Sequence, residues 1–336
     1  MKAIVQDVYG SPSVLRLAEV PPPQVGDDEV LVRVAAAGVD AGVWHMTAGL
    51  PYLVRVMGLG LRTPRTRVRG TDFAGTVEAV GAGVTSVKPG DEVYGSCDPL
   101  GDGSFAELAR TRQDRVAAKP ANLSFEQAAA APVSGVTALQ AVRDSGALQP
   151  GQTVLVTGAG GGVGTFAVQI AKALGAVEVT AVCGGAKVEL VRSLGADFVI
   201  NYADKDFTEG AHQYDLIVDT AGRRAITQVR RALTPRGTLV IVGGEGGDRL
   251  LGGFDRQMVR APALSLVSEQ QFRPLVARVT GADLQALRLL IEAGKVTPVV
   301  DRVLPLAQAA EALRYAHAGL AKGKVVLSVA AGEGGA

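Results

Sequence analysis

The sequence predicts an α/β protein in two parts, a β-rich barrel followed by a doubly wound parallel sheet. Three observations predict it. The chain has 336 residues, which exceeds one compact core and suits two domains of ordinary size. Before Ser124, short apolar or alternating stretches are separated by Gly, Pro and Asp. After it, apolar strands alternate with helix-length stretches, the pattern of βαβ units.

Residues 1–7 read as a strand, and so do 29–34, 75–80 and 91–94. Their spacing and the turn residues between them predict a compact barrel. Pro21-Pro22-Pro23 is a stiff connector. Ser124 caps a helix over 125–131. Strands follow at 154–156, 177–182, 198–200, 216–218, 238–242 and 264–267, with helices over 165–174, 187–194 and 225–233. Six strands with helical crossovers give a parallel doubly wound sheet. A helix over 283–293, a strand at 299–304, a helix over 308–318 and a strand at 324–329 complete the chain. The domains expected are 1–123 with 279–336, and 124–278.

Hydrophobic residues make up 47% and charged residues 20%, a globular composition without a disordered signature. A formal charge of +1 gives no global field for nucleic acid or an acidic surface. Two cysteines, Cys97 and Cys183, exclude a disulfide framework and a Cys-rich zinc lobe. No apolar run approaches the ~20 residues that cross a bilayer, so no transmembrane segment is expected. The start reads as a strand and not as a leader, which points to the cytoplasm.

The segment Ala159-Gly160-Gly161-Gly162-Val163-Gly164 matches G-x-G-x-x-G with Ala in place of the first glycine. A strand precedes it and an amphipathic helix follows, the context of a Rossmann dinucleotide site. Gly161 lets the backbone approach a pyrophosphate, Gly164 permits close helix–strand packing, and amides at the helix start meet the phosphate charge. After the second strand stands Cys183-Gly184-Gly185-Ala186-Lys187, without the acid that would bind a ribose 2′-hydroxyl. Gly184 with Lys187 therefore favours NADP(H) over NAD, although Lys187 also reads as an exposed helix lysine. Thr220, and Val242, Gly243 and Gly244, end the fourth and fifth strands. They serve either ligand approach or a turn alone.

The chain resembles the medium-chain dehydrogenase/reductase superfamily. The resemblance is carried by Gly70-Thr71-Asp72-Phe73-Ala74-Gly75-Thr76-Val77 with Gly81, and by Val87-Lys88-Pro89-Gly90-Asp91-Glu92-Val93. Ala131-Pro132, Val136-Thr137-Ala138, the glycine run with Gln169, Ala171 and Lys172, Leu194-Gly195-Ala196-Asp197 and Gly323-Lys324-Val325-Val326-Leu327 continue it. The branch it resembles is the zinc-free quinone oxidoreductases and related NADP-dependent enone reductases. This implies a GroES-like β-barrel catalytic domain beside the Rossmann domain.

In zinc-dependent relatives a Cys stands where this chain has Asp40, a His-Glu pair at Thr71-Asp72, and a third ligand near Val133-Ser134. Val cannot ligate, and Thr and Ser are poor zinc donors, so no metal is expected. The resemblance further implies a substrate cleft bordered by residues 39–52. Trp44, His45 and Tyr52 are its candidate catalytic residues, Trp44 by packing on nicotinamide or substrate, the others by donating to a developing oxyanion. Each also reads as packing or surface. Relatives carry Asn at Asp40 and an acid near Val43, so nicotinamide contacts at Asp40 are altered. Thr137, Tyr202, and Lys322, Gly323 and Lys324 match cofactor-contacting positions. His212 and His317 read as surface residues. A homodimer through the sixth strand, 264–267, is implied by the resemblance alone.

The function expected is metal-free, NADPH-dependent hydride transfer to a quinone, enone or related carbonyl compound. The alternatives are an NAD(P)-dependent alcohol dehydrogenase and a non-enzymatic NADPH-binding structural or regulatory protein. One feature has no counterpart in the resemblance. Between Gly49 and Gly70 stand Arg55, Arg62, Arg65, Arg67 and Arg69 and no acid, interleaved with apolar residues. A solvated loop, an anionic-substrate lip and a peripheral membrane contact all fit it.

Overall fold

The computed structural model describes residues 1–243, 249–253, 260–265 and 268–329. Before the glycine run lie β1 (Lys2–Val5), β2 (Arg16–Glu19), β3 (Glu29–Val39), β4 (Asp72–Val80), β5 (Glu92–Ser96), β6 (Leu108–Arg112) and β7 (Val116–Ala118). Next come β8 (Thr153–Thr157), β9 (Glu178–Cys183), β10 (Phe198–Asn201), β11 (Tyr214–Asp219), β12 (Leu233–Ile241) and β13 (Gln271–Pro274), and β14 (Val300–Pro305) and β15 (Lys324–Ser328) close the chain. The helical segments are α1 (Ala41–Ala48), α2 (Tyr52–Val54), α3 (Phe125–Ala129), α4 (Pro132–Leu139), α5 (Gly162–Ala173), α6 (Val188–Ser193), α7 (Ile226–Val229), α8 (Ala261–Ser265), α9 (Gly281–Glu292) and α10 (Ala309–His317).

Two units result: Met1–Ser134 with Val279–Glu292 and Pro298–Ala336, and Gly135–Arg278 with Ala293–Thr297. Residues 124–134, grouped with the parallel sheet on sequence grounds, belong to the first unit because α3 packs on β3 and β4. In that unit the strand order is β14-β15-β3-β4-β5-β7, with β6 also paired to β3. β3 organises it. Its first half pairs with β6 and its second half with β15, while β4 runs antiparallel along nearly its whole length. Val30, Val32 and Val34 alternate inward from β3, as a half-buried strand requires.

The second unit is a parallel sheet in the order β10-β9-β8-β11-β12-β13. Its central strands are apolar without alternation: Val154, Leu155 and Val156, and Ile217 and Val218, are fully buried. Strands covered on both faces have this composition. Each such side chain contributes about 1.5–3 kcal/mol. The sixth strand is a correction. It lies at Gln271–Pro274; of the expected 264–267, residues 264 and 265 belong to α8 (Ala261–Ser265) and 266–267 lie outside the described residues. An apolar run of that length suits a buried helix as well as a strand, and Pro262 stands at the start of α8, where helices tolerate proline.

Candidate active site

In the second unit, β8 ends at Thr157 and the chain turns at Gly158, whose φ is +63°. A Cβ there would lie 2.5 Å from Thr220 Oγ1. The tight-turn glycine therefore stands one residue earlier than the motif alignment puts it, and Gly158 was not among the residues expected. The signal was there, a glycine directly after the last strand residue. It also explains why Ala159 is tolerated: Ala159 is buried and its N–H donates to Val182 O at 3.1 Å.

Gly161 N–H donates back to Gly158 O at 3.0 Å, and Gly161 is the N-cap of α5 without a side-chain cap. The first amides of a twelve-residue helix are thus left to a ligand or solvent. Gly162 and Val163 open its first turn. The two motif glycines differ in kind. A Cβ on Gly164 would sit 2.2 Å from Gly158 O and 2.6 Å from Ala159 Cα, so packing alone demands glycine. A Cβ on Gly161 would meet only Gly158 O, at 3.3 Å. Packing asks far less there, a yield of a few tenths of an ångström by Gly158 O, which leaves close approach of a ligand as the stronger reason for glycine.

Two other strand ends brace this turn. Thr157 Oγ1 donates to Asp219 Oδ1 at 2.6 Å, and Thr220 Oγ1 donates to Thr157 O at 2.7 Å. Gly222 N–H donates to the same carboxylate oxygen at 3.0 Å. Val242 and Gly243 both donate their N–H groups to Asp219 O. A Cβ on Gly243 would lie 2.0 Å from Thr220 O, so this glycine serves packing. Gly244 lies outside the described residues.

The predicted cofactor-preference residues gather beside the same loop. The Lys187 stem runs where a Cβ on Gly160 would fall, 2.6 Å from Lys187 Cδ. A Cβ on Gly184 would lie 3.0 Å from the Tyr202 hydroxyl. Tyr202 is 59% exposed. Thr137, on α4, is 7% exposed.

In the first unit a polar cluster converges where β4, β3 and β15 lie side by side. Asp72 is fully buried and Lys324 is 2% exposed, with Lys324 Nζ 3.2 Å from Asp72 Oδ2. They stand on strands that flank β3: Asp72 is opposite Gly38, and Lys324 directly precedes Val325, the partner of Val39. A Cβ on Gly38 would come 2.4 Å from Ala129 O and 2.9 Å from Asp72 Cβ, so the missing side chain makes room for the pair. Val133 N–H, at the start of α4, donates to Asp72 Oδ1 at 2.9 Å, where a helix N-terminus favours negative charge. Burial pushes the Asp72 carboxyl up to about 7; the Lys324 ammonium opposes that shift and Asp40 reinforces it. Asp40 caps α1, its Oδ1 accepting from Val43 N–H at 3.1 Å. Its Oδ2 accepts from Thr71 Oγ1 at 2.5 Å. Ser134 is buried.

The aromatic candidates separate. Trp44 stacks on His317, ring centroids 3.9 Å apart and 7° from coplanar. His317 is exposed, as expected of a surface residue, and its ring covers Trp44. His45 Nδ1 lies 2.8 Å from Leu50 O, closing the end of α1. Tyr52 is 40% exposed, with the Arg55 guanidinium 4.8 Å above its ring. In the return segment Lys322 N–H donates to Asp301 Oδ2 at 3.2 Å. Gly323 has φ +90°, and a Cβ there would lie 2.5 Å from Val299 O. Lys324, a candidate cofactor contact, is the buried partner of Asp72 described above.

Residues 26–121 match the alcohol dehydrogenase GroES-like domain, and residues 194–327 match a family described as zinc-binding dehydrogenase. The 2-methylene-furan-3-one reductase of Solanum lycopersicum is 33% identical over 97% of this chain and 79% of its own length. The NADPH-dependent alkenal/one oxidoreductase, chloroplastic, of Arabidopsis thaliana is also 33% identical, with the same coverages. The Escherichia coli quinone oxidoreductase complexed with NADPH superposes with a TM-score of 0.82 at 26% identity, covering 98% of this chain and all of that one.

The chain belongs to the medium-chain dehydrogenase/reductase superfamily. Its fold is accordingly a GroES-like barrel domain with a Rossmann domain. The glycine run at 158–164 falls between the two matched spans, so its reading rests on the geometry above. Asp72 and Lys324 fall inside them, one in each.

Proposed function

We propose that this medium-chain dehydrogenase/reductase is an NADPH-dependent, metal-independent oxidoreductase that delivers hydride to an activated C=C or a quinone. The observation that carries the reading is Gly161, a glycine for which the protein's own packing gives little reason, at an uncapped helix N-terminus. Backbone amides at Gly162 and Val163 would hold the pyrophosphate, with Gly161 leaving room for its approach, and Lys187 and Tyr202 would face an adenosine 2′-phosphate. Bound there, the nicotinamide supplies the hydride. The relatives' names, an alkenal/one oxidoreductase using NADPH and a quinone oxidoreductase holding it, support the cofactor and acceptor class.

Residues at the zinc-ligand positions of the superfamily do not fit that metal. Asp40 is engaged by Thr71 and by the α1 amide, and the Asp72 carboxylate already faces a buried ammonium. A dication would be set beside Lys324 with poor donors around it. This disfavours alcohol dehydrogenation, which needs a Lewis acid on oxygen. An enone or quinone delocalises the developing charge, so one hydrogen-bond donor suffices; Tyr52 is the donor we favour, with Trp44 and His45 shaping α1. A homodimer through β13, the last strand in the order of the parallel sheet, completes the proposal.

The test is NADPH oxidation across a panel of quinones and enones, with and without a chelator. Turnover of at least one acceptor that survives chelation is expected. Failure with the whole panel, or activity lost to chelation and restored by zinc, overturns the reading.

A further inference from the structure

Among the described large apolar residues, Val56 is the most exposed at 70%, and Leu61 at 69% and Met57 at 59% stand within six residues of it. Leu100, 46% exposed, joins them, since a Cβ on Gly58 would lie 2.9 Å from Leu100 Cδ1. This is one contiguous patch and not scattered surface apolars.

The segment is held from beneath. Leu59 is buried, the Tyr9 hydroxyl lies 2.7 Å from both Leu59 O and Gly60 O, and Arg65 N–H donates to Leu59 O at 2.8 Å. Arg55 donates to Gly49 O and covers the Tyr9 ring at 4.2 Å. Anchored this way, the turn keeps Val56, Met57 and Leu61 pointed at solvent.

Charge around the patch has one sign. Of the five arginines, Arg55 is tied down, Arg67 pairs with Asp7 at 2.7 Å, and Arg69 is buried with its guanidinium on Thr66 O. Arg62 and Arg65 are exposed and carry no ion pair among the described residues. The acids of the Leu100 loop are committed, Asp98 to Arg115 at 3.2 Å and Asp102 to Arg110 at 3.7 Å.

We infer that this surface, Val56, Met57, Leu61 and Leu100 rimmed by Arg62 and Arg65, docks the protein peripherally on an anionic phospholipid surface. Apolar side chains enter the headgroup boundary while the guanidiniums meet lipid phosphates and carboxylates. A second copy suits the patch less well, because a two-fold contact would set the two cationic rims against each other. Among the described residues no helix is long and apolar enough to cross a membrane, so the contact is at the surface. It is independent of the enzymatic reading, since binding is measured without turnover.

The experiment is sedimentation of the full chain with phosphatidylcholine vesicles, with and without phosphatidylserine, at low and high salt. Wild type is expected to sediment with phosphatidylserine vesicles at low salt and to be released by high salt. Arg62→Gln/Arg65→Gln should weaken partitioning by about fivefold per arginine. Val56→Ser/Met57→Ser/Leu61→Ser should weaken it by roughly tenfold or more, retaining little binding at either salt. All five side chains are exposed, so both variants should keep the wild-type thermal midpoint. The proposal is overturned if wild type fails to sediment, if it sediments equally without phosphatidylserine, or if the triple serine variant binds as wild type does. It is also overturned by a lipid-free dimer that the triple variant abolishes, which would assign the patch to a second copy.

Discussion

The glycine loop of the second unit and the Asp72 cluster of the first are made in opposite ways. The loop is backbone from seven consecutive residues, uncharged, its chemistry lying in amides and missing side chains. The cluster is side chains from Asp40, Thr71, Asp72 and Lys324, delivered by the starts of β4 and β15 and by the cap of α1, and its chemistry is a buried charge pair. A contiguous backbone site tolerates change at its margins, as Ala159 illustrates. A convergent site depends on every member, including the glycine at 38 that contributes only space.

The largest expected effects break the cluster. Lys324→Met leaves Asp72 buried without its cation and should cost about 3–5 kcal/mol of unfolding free energy, measured by urea denaturation. Combining it with Asp72→Leu should recover most of that loss, because an apolar pair carries no uncompensated charge. If Lys324→Met instead leaves stability intact and weakens NADPH binding alone, Lys324 belongs to the cofactor site after all. The pH dependence has a defined sign. Asp72 titrates near 7 in the folded protein and near about 3.9 in an unfolded chain. The native state therefore holds a proton that unfolding releases, and this group's contribution to stability falls as pH rises from about 4 towards about 7. Thermal midpoints across that window should decline in wild type and lose that component in Asp72→Asn.

These two regions also differ in how much of them could be seen in advance. Strand–glycine–helix order is local, so the Rossmann loop and its parallel sheet followed from spacing alone. The sixth strand did not, since the four-residue run at 264–267 carries no period long enough to separate helix from strand. Within the cluster, the resemblance put Asp40, Thr71 and Asp72 at positions where zinc-dependent relatives hold metal, yet nothing local tied Lys324 to Asp72 across 252 positions. The pairing of β3 with both β4 and β15 does that, and strand pairing over such distances is a property of topology. Nor did anything local tie Trp44 to His317, which reaches it from the far end of the chain.

Inside the loop, the contrast between its two motif glycines can be sharpened. Gly164→Ala drives a Cβ towards a backbone oxygen 2.2 Å away and should cost about 1–3 kcal/mol, with NADPH binding lost alongside. Gly161→Ala has only a 3.3 Å neighbour and should fold with a near-wild-type thermal midpoint. Its NADPH affinity should nevertheless fall by roughly tenfold or more, about 1.4 kcal/mol, by fluorescence titration. Equal stability losses in both variants would reduce the loop to a packing turn.

Lys187 gives the smallest effect and the most selective one. Its stem lies over Gly160 at the margin of the loop, so its charge acts on whatever the adenosine end presents there. A half-exposed cation beside a 2′-phosphate contributes about 1 kcal/mol, hence Lys187→Ala should raise the NADPH dissociation constant about fivefold. NADH, without that phosphate, should bind as before. High salt should shrink the difference between wild type and variant, because screening acts on this pair of full charges and far less on the neutral loop amides. A loss shared equally by NADPH and NADH would show instead that Lys187 supports the shape of the loop through Gly160.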